Sequence, residues 1–411
     1  MAIYVILKRT DFRLCMIVTV ILVPVAIAFV VINFGQTDGL SSPGPGTNNA
    51  TNSTGPNSTA TLQFLIVVSR HGNRPPLDSF PTWSHPKNHT DVWPYGPDSL
   101  TKLGRIKTYR LGAKLRALYD GFLDHFYYPK DFIMYSTLTD RTLQSAEDIL
   151  AGLFPPVGFQ VWNSNLTWQP IPIYPTYVEG THLWDDSITT CPTFYAAKIK
   201  SLSQFDLDNA ANISTLMTYL QNYTGIPAVP GTHNGLYKVW DTFVSAENQG
   251  LSLPVWSTPV YPEPMSTLVK KLFVASVIGT DNMIRLFQGR LFQEMMSLME
   301  AKVENSATPD RSMVHYSGHD TSLMGLQAIL GMPQAYNTFV KTGSAMIFEL
   351  LKNVDTSTYY VQVLYIDGNS ADMKPVVLDI PSCSSPCDFN TLRSITAKYY
   401  NITDYTQECT S

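Results

Sequence analysis

Two arginines bracket a histidine and a glycine in the run Arg70-His71-Gly72-Asn73-Arg74-Pro75-Pro76. A guanidinium presents a rigid fork of N–H donors, so two of them close together can grip the oxygens of a tetrahedral anion from two sides. A histidine between them can attack that anion's central atom through a ring nitrogen. The glycine lets backbone come close to the same anion. Far along the chain, Tyr316-Ser317-Gly318-His319-Asp320-Thr321 carries a second histidine beside an acid. A carboxyl group there could serve as a proton donor to a departing oxygen. Taken singly, either motif could be a surface turn or a helix cap; together they point to phosphate chemistry.

Elements must bring the two motifs together. Thr61 to Ser69 is an almost unbroken apolar run and is expected to be a buried strand ending at Arg70. Asp98 to Phe122 follows, with Leu100, Leu103, Leu111, Leu115, Leu118 and Phe122 expected to share one helical face. Phe132 to Ser136 is expected to be a strand, and Thr139 to Leu153 a helix opening near Asp140-Arg141. Residues 156–308 start rich in proline and aromatics and then become mainly helical, with Arg285 to Asn305 the clearest helix. Ser312 to Ser317 returns to a strand, Thr321 to Leu330 to a helix, and Ala345 to Leu351 and Tyr359 to Ile366 complete a sheet. No internal repeat is apparent. This order predicts an α/β fold with a mixed, mainly parallel sheet flanked by helices. The core is expected from residues 61–155 and 309–411, with 156–308 inserted as a helical cap. Both histidine loops then follow strands, and ligand sites in open α/β sheets gather at the carboxyl ends of strands.

With Leu100-Thr101-x-x-Gly104, Asp140-Arg141-Thr142 and the cysteine-bearing tail, these motifs resemble the histidine acid phosphatase family, in its prostatic and lysosomal branch, over residues 62 to 409. The resemblance implies that His71 is the nucleophile of a phosphohistidine intermediate. It implies that Arg70, Arg74 and Arg141 clamp the phosphate with His319 as a further donor, and that Asp320 protonates the leaving oxygen. Asn73 stands where close mammalian relatives often carry Asp, which removes a charge beside the clamp. Phosphoryl transfer spreads negative charge over the equatorial oxygens, so positioned cations supply most of the catalysis. His71 must be unprotonated, phosphate is a monoanion below its second pKa of about 6, and Asp320 must carry a proton. An acidic optimum follows. No metal or other cofactor is needed, so activity should survive EDTA.

The rest of the chain says where such chemistry would occur. Leu14 to Ile32 is uncharged and long enough to cross a bilayer core, which takes about 20 residues. Lys8, Arg9 and Arg13 precede it, and no Lys or Arg follows until Arg70, which puts the N-terminus in the cytosol and the remainder outside. Residues 1–35 are therefore expected to be a signal anchor of a type II membrane protein, with an extracellular or endolysosomal catalytic domain. A cleaved signal peptide ending at Ala26-Ile27-Ala28 would instead give a secreted protein. Residues 36–60, rich in Gly, Pro, Ser, Thr and Asn, are expected to be a glycosylated flexible stalk before a domain spanning 61–411. Sequons at Asn49, Asn52, Asn57, Asn88, Asn165, Asn212, Asn222 and Asn401 all lie on the exported side. Charged residues are only 15% of the chain, and glycans would help to keep its surface hydrated.

Of five cysteines, Cys15 sits in the apolar segment. Cys191, Cys383, Cys387 and Cys409 allow several connectivities. Short spacing favours Cys383 with Cys387, which leaves Cys191 to tie the C-terminal tail, and these pairings match the family pattern. No second close Cys or His pair near Cys383 suits zinc. A net charge of −5 without a basic run excludes a nucleic-acid footprint. A small phosphomonoester is the expected ligand, and a homodimer follows only from the resemblance.

Two rival functions remain at this level. An inositol polyphosphate phosphatase (phytase-like) would need extra cations at the pocket, for which Lys198, Lys200, Lys270 and Lys271 are candidates. An inactive glycosylated surface binding protein is opposed by the intact set of site residues. His182, His233 and His315 match no catalytic pattern and read as packing or surface groups. Trp162, Trp168 and Trp184 read as core or cap packing. Met295, Met296, Met299 and Met313 read as core filler.

Overall fold

The computed structural model describes residues 60–178, 181–182, 191–229 and 233–410. The expected membrane segment, Cys15, the stalk up to residue 59 with its three sequons, and Trp184 lie outside these residues. Among the described residues, no helix is long and apolar enough to cross a membrane.

The chain opens with β1 (Ala60–Arg70), α1 (Lys102–Leu118), β2 (Phe132–Ser136), α2 (Asp140–Leu153) and β3 (Ile173–Pro175), followed by the short pair β4 (Tyr177–Val178) and β5 (Thr181–His182). A helical stretch comes next: α3 (Pro192–Thr224), α4 (His233–Asn248), α5 (Met265–Phe273) and α6 (Asp281–Val303). Then come β6 (Met313–Gly318), α7 (Asp320–Ile329), α8 (Gln334–Asn337), β7 (Ala345–Asn353), β8 (Tyr359–Ile366), β9 (Val376–Leu378), β10 (Cys387–Asp388), α9 (Phe389–Tyr400) and α10 (Tyr405–Thr410).

One mixed sheet runs β10-β8-β7-β1-β6-β2-β3, with β9 on β8. The ladders joining β1, β6, β2 and β3 are parallel, whereas β7 to β10 pair antiparallel. Along β1, successive side chains face opposite sides of the sheet. Leu65 and Val67 pack with Leu111, Leu115, Ile149 and Leu153 of α1 and α2. Phe64, Ile66 and Val68 pack on the other face with Phe292, Met295, Met296 and Met299 of α6 and with Leu323 and Leu326 of α7. So α6, within the region expected to be the inserted cap, builds the core against the sheet. The helices α3 to α5 bury a separate cluster that includes Phe205, Met217, Leu220, Leu236, Phe243 and Met265, and Phe80 and Trp83 of the loop after β1 join it. This is the helical cap.

Two expectations need correction. The buried face of α1 is not the expected leucine stripe. Leu103 is 45% exposed, while Gly104, Thr108 and Gly112 line the buried face beside Leu111 and Leu115. The cause is close approach: a Cβ on Gly112 would strike the backbone of Ile149 in α2, so only small residues fit. Trp162 and Trp168 are 58% and 38% exposed and pack against each other at the surface rather than in the core or the cap. Met295, Met296, Met299 and Met313 are fully buried.

Candidate active site

The parallel register assembles the site. Arg70 pairs with Gly318 between β1 and β6, and Ser136 with Ser317 between β2 and β6. Parallel strands end on the same side, so the loops carrying His71, His319 and Thr137 leave the sheet together. The backbone N–H of His71 donates to the Gly318 carbonyl at 2.8 Å, and that of Gly343 to the His71 carbonyl at 2.9 Å. Chain segments far apart in sequence thus fix the His71 backbone.

Gly72 has a packing role that the sequence did not suggest. A Cβ there would meet the carbonyl of Gly104, and a Cβ on Gly104 would meet the backbone of Asn73. The loop therefore lies flat on the first turn of α1. Thr101 caps that turn, its hydroxyl accepting from Gly104 N at 3.1 Å while its own N–H donates to the Asn73 carbonyl at 2.9 Å. Gly72 N donates to Ser145 Oγ at 3.0 Å, which ties the loop to α2 as well.

His71 is buried, and its Nδ1 lies 2.8 Å from the Gly72 carbonyl oxygen. A carbonyl only accepts, so Nδ1 carries the proton and Nε2 holds the lone pair. Burial, followed by the charges of Arg70, Arg141, His319 and Arg74, holds the imidazole well below the usual histidine range. The ring stays neutral and nucleophilic in acid.

The guanidiniums are held by partners that leave donors over. Arg70 Nη1 donates to the Val340 carbonyl and Nη2 pairs with Asp320 Oδ2 at 2.9 Å, while its buried Nε–H has no hydrogen-bond partner among the described residues. Arg74 is clasped end-on by Asp241, with Nη1 to Oδ2 at 3.2 Å and Nη2 to Oδ1 at 3.0 Å, and Nη1 also donates to the Pro75 carbonyl. Its buried Nε–H is likewise without a partner among the described residues. Arg141, on the first turn of α2, lies 3.5 Å from Asp98 Oδ1 and, through Nη2, 3.5 Å from His319 Nδ1. His319 Nε2 sits 3.0 Å from Thr137 Oγ1. That hydroxyl donates to Thr142 Oγ1, so Nε2 of His319 donates to Thr137 while Nδ1 lies on the side of Arg141. The two imidazole rings are 5.6 Å apart and steeply inclined.

Asp320 opens α7, and its Oδ1 accepts from Thr321 N at 2.8 Å. Burial pushes this carboxyl up, but Arg70, His319, Arg74 and the Thr321 N–H together hold it below the usual carboxylate value. In this arrangement it is an ion-pair partner and not yet an acid. Asp140, by contrast, is exposed at the start of α2.

The structure therefore brings His71, Arg70, Arg74, Arg141, His319 and Asp320 to one place. It adds residues that the sequence did not single out. Asp241 comes from the cap helix α4 and also accepts from Leu77 N at 2.7 Å. Thr137 orients His319, and Ser145 anchors Gly72. Asn73 is buried, donates to the Asn248 carbonyl at the end of α4 at 2.9 Å and accepts from the Thr342 hydroxyl, so its amide links the cap to the core. An aspartate there could not make the first bond. His315 is fully buried behind the site, with Nε2 2.8 Å from Ser69 Oγ, and His233 pairs with Asp206 in the cap. Away from the site, disulfides join Cys191 to Cys409 and Cys383 to Cys387. Asn88, Asn165, Asn212, Asn222 and Asn401 are all exposed.

A histidine ringed by guanidiniums, at the carboxyl ends of parallel strands and under a helical cap, is the arrangement that the sequence motifs led one to expect. The chain belongs to the histidine phosphatase superfamily (branch 2), whose family model matches residues 61–366. It is 32% identical over 355 residues to the lysosomal acid phosphatase of Xenopus laevis, covering 85% of this chain and 78% of that protein. It is 30% identical over 359 residues to the prostatic acid phosphatase of Bos taurus, covering 85% of this chain and 87% of that one. The fold is similar to that of a Hafnia alvei phytase in complex with tartrate, with a TM-score of 0.61 at 18% identity, covering 84% of this chain and 98% of that one.

Proposed function

We propose that this protein is an acid phosphatase that hydrolyses phosphomonoesters through a phosphohistidine on His71. One observation carries the reading: a neutral, buried imidazole with its Nε2 lone pair available lies among arginines, two of which, Arg70 and Arg74, keep a buried Nε–H without a partner among the described residues. Unmet donors on buried cations are stabilised by an anion. In the first step His71 Nε2 forms a bond to phosphorus as the ester P–O bond breaks, and Asp320 passes its proton to the departing oxygen. In the second, water attacks phosphorus, its proton returns to the Asp320 carboxylate, and the N–P bond breaks to release phosphate.

Asp320 must first exchange its ion pair for a proton. A bound phosphate competes for Arg70 and adds negative charge nearby, and both effects favour the protonated carboxyl. Low pH acts in the same direction, and His71 tolerates it because its own pKa is depressed. An acidic optimum is the expected result.

The disulfides and exposed sequons support a non-cytosolic location. With the N-terminal apolar segment, they favour a type II membrane protein whose domain from residue 61 onward is extracellular or endolysosomal. The test is turnover of p-nitrophenyl phosphate at pH 5 by the full chain and by His71→Ala. Loss of both turnover and an acid-labile phosphoenzyme in the variant is expected. An inactive wild type, or a variant as active as wild type, would sink the enzyme reading.

A further inference from the structure

The cap brings one more cation against the site, and the chemistry above does not use it. Lys270 on α5 is 6% exposed. Its Nζ lies 3.4 Å from Met324 Sδ and 5.5 Å from the centre of the Phe339 ring. Both neighbours lie on segments that also carry residues of the site. Met324 is one helical turn beyond Asp320 on α7 and so shares its face. Phe339 directly precedes Val340, whose carbonyl holds Arg70, and its ring packs 4.5 Å from that of Trp240, the neighbour of Asp241.

An ammonium has three donors and accepts nothing. Here a thioether and a ring face are its contacts, and among the described residues no carboxylate or carbonyl oxygen takes a hydrogen bond from it. The charge of Asp320 favours it, but Arg70 already engages that carboxylate at 2.9 Å. Burial lowers the amine to about 8, so it is still a cation in acid. Keeping a cation in such surroundings is unfavourable until an anion reaches it.

We propose that Lys270 is a second anion-binding group of this site, and that the preferred substrates are phosphomonoesters whose leaving group carries a further carboxylate or phosphate. The inference rests on the phosphatase reading. Asp320 faces the leaving oxygen in that scheme, and Met324 continues its face of α7, so Lys270 lies on the leaving-group side of phosphorus. Lys198, Lys200 and Lys271 are not buried in this way.

The test uses the full chain at pH 5 with three substrates: glycerol 3-phosphate, 3-phosphoglycerate and glycerol 1,3-bisphosphate. A charged hydrogen bond made to the second anion predicts a KM about 10- to 100-fold lower for at least one of the charged substrates. The arm that shows the preference tells whether carboxylate or phosphate is the anion. Lys270→Met is expected to bring the ratio of kcat/KM, charged over uncharged, close to one, mainly through KM, and Lys270→Arg to keep it. A wild type that turns over p-nitrophenyl phosphate but shows no preference overturns the Lys270 assignment alone, whether or not the variants fold. A preference that persists in Lys270→Met overturns it too. A wild type that turns over none of these esters overturns the phosphatase reading and this inference with it.

Discussion

The grip of Asp241 on Arg74 makes Asp241→Asn an informative perturbation. The side chains of this pair are 7% and 5% exposed, so bulk solvent screens them little. The carboxylate takes three hydrogen bonds: Oδ1 from Arg74 Nη2, and Oδ2 from both Arg74 Nη1 and Leu77 N. An asparagine oxygen can take the place of only one carboxylate oxygen, so at best it keeps two of these bonds while its NH2 faces the remaining donor. Breaking one side of a buried pair costs about 3–5 kcal/mol, much of it from the charge and donors left unmatched. The melting temperature should fall by several degrees.

The catalytic consequence follows from donor geometry. Asp241 occupies the Nη1–Nη2 end of the guanidinium, which leaves Nε–H and the second Nη2 proton as a side-on edge for phosphate. Releasing the end lets that edge rotate away. Losing one positioned donor costs about 2.7–4 kcal/mol, or about 100- to 1,000-fold in kcat. Steady-state kinetics at pH 5, inhibition by inorganic phosphate and a thermal melt check this together, and Arg74→Gln should add little to the loss in Asp241→Asn because the two act as a unit. A variant with unchanged kcat/KM and tighter phosphate inhibition would refute the reasoning, since Asp241 would then merely compete with substrate for Arg74.

Two further perturbations separate other parts of the scheme. Asp320→Asn should slow alkyl phosphates by about 100- to 10,000-fold, the usual range for general acid catalysis. It should lower kcat/KM for p-nitrophenyl phosphate much less, because kcat/KM ends at departure of the leaving group and nitrophenolate departs with little need of a proton; equal losses in kcat/KM on both would remove Asp320 from the acid role. His315 tests the linkage between pH and stability: burial holds it near 3 in the folded chain, against about 6.5 unfolded. Between these values the unfolded state binds more protons, so stability falls as pH falls, by about 1.4 kcal/mol per unit. Urea unfolding should show His315→Asn gaining about 2 kcal/mol relative to wild type between pH 7 and pH 5, and parallel curves would contradict the assignment.

What the sequence made legible, and what it did not, divides along a physical line. β2 and β8 run as expected from Phe132 to Ser136 and from Tyr359 to Ile366, because a strand writes its apolar and aromatic residues in one short consecutive run. The residues brought to the site were legible for a related reason: an arginine–histidine–glycine loop at a strand end carries its chemistry in its own residue types. Positioning groups carry no such mark. Asp241 is one acid among many in a cap helix, and nothing local distinguishes it until α4 is folded over Arg74. Lys270 was visible only as a basic residue of the cap; its burial against Met324 and Phe339 depends on contacts between distant segments.

Gly72 shows the same limit from the other side. Its spacing in the motif suits an approach to phosphate, and it also lies against Gly104, the last residue of a second motif. Two glycines separated by the whole loop after β1 require each other, since a side chain on either would strike the other's loop or helix. Gly72→Ala should therefore displace the His71 loop from α1 and lower activity through geometry, even though no donor or charge is lost. A motif that looks chemical can thus be set by packing, and here the packing places the nucleophile.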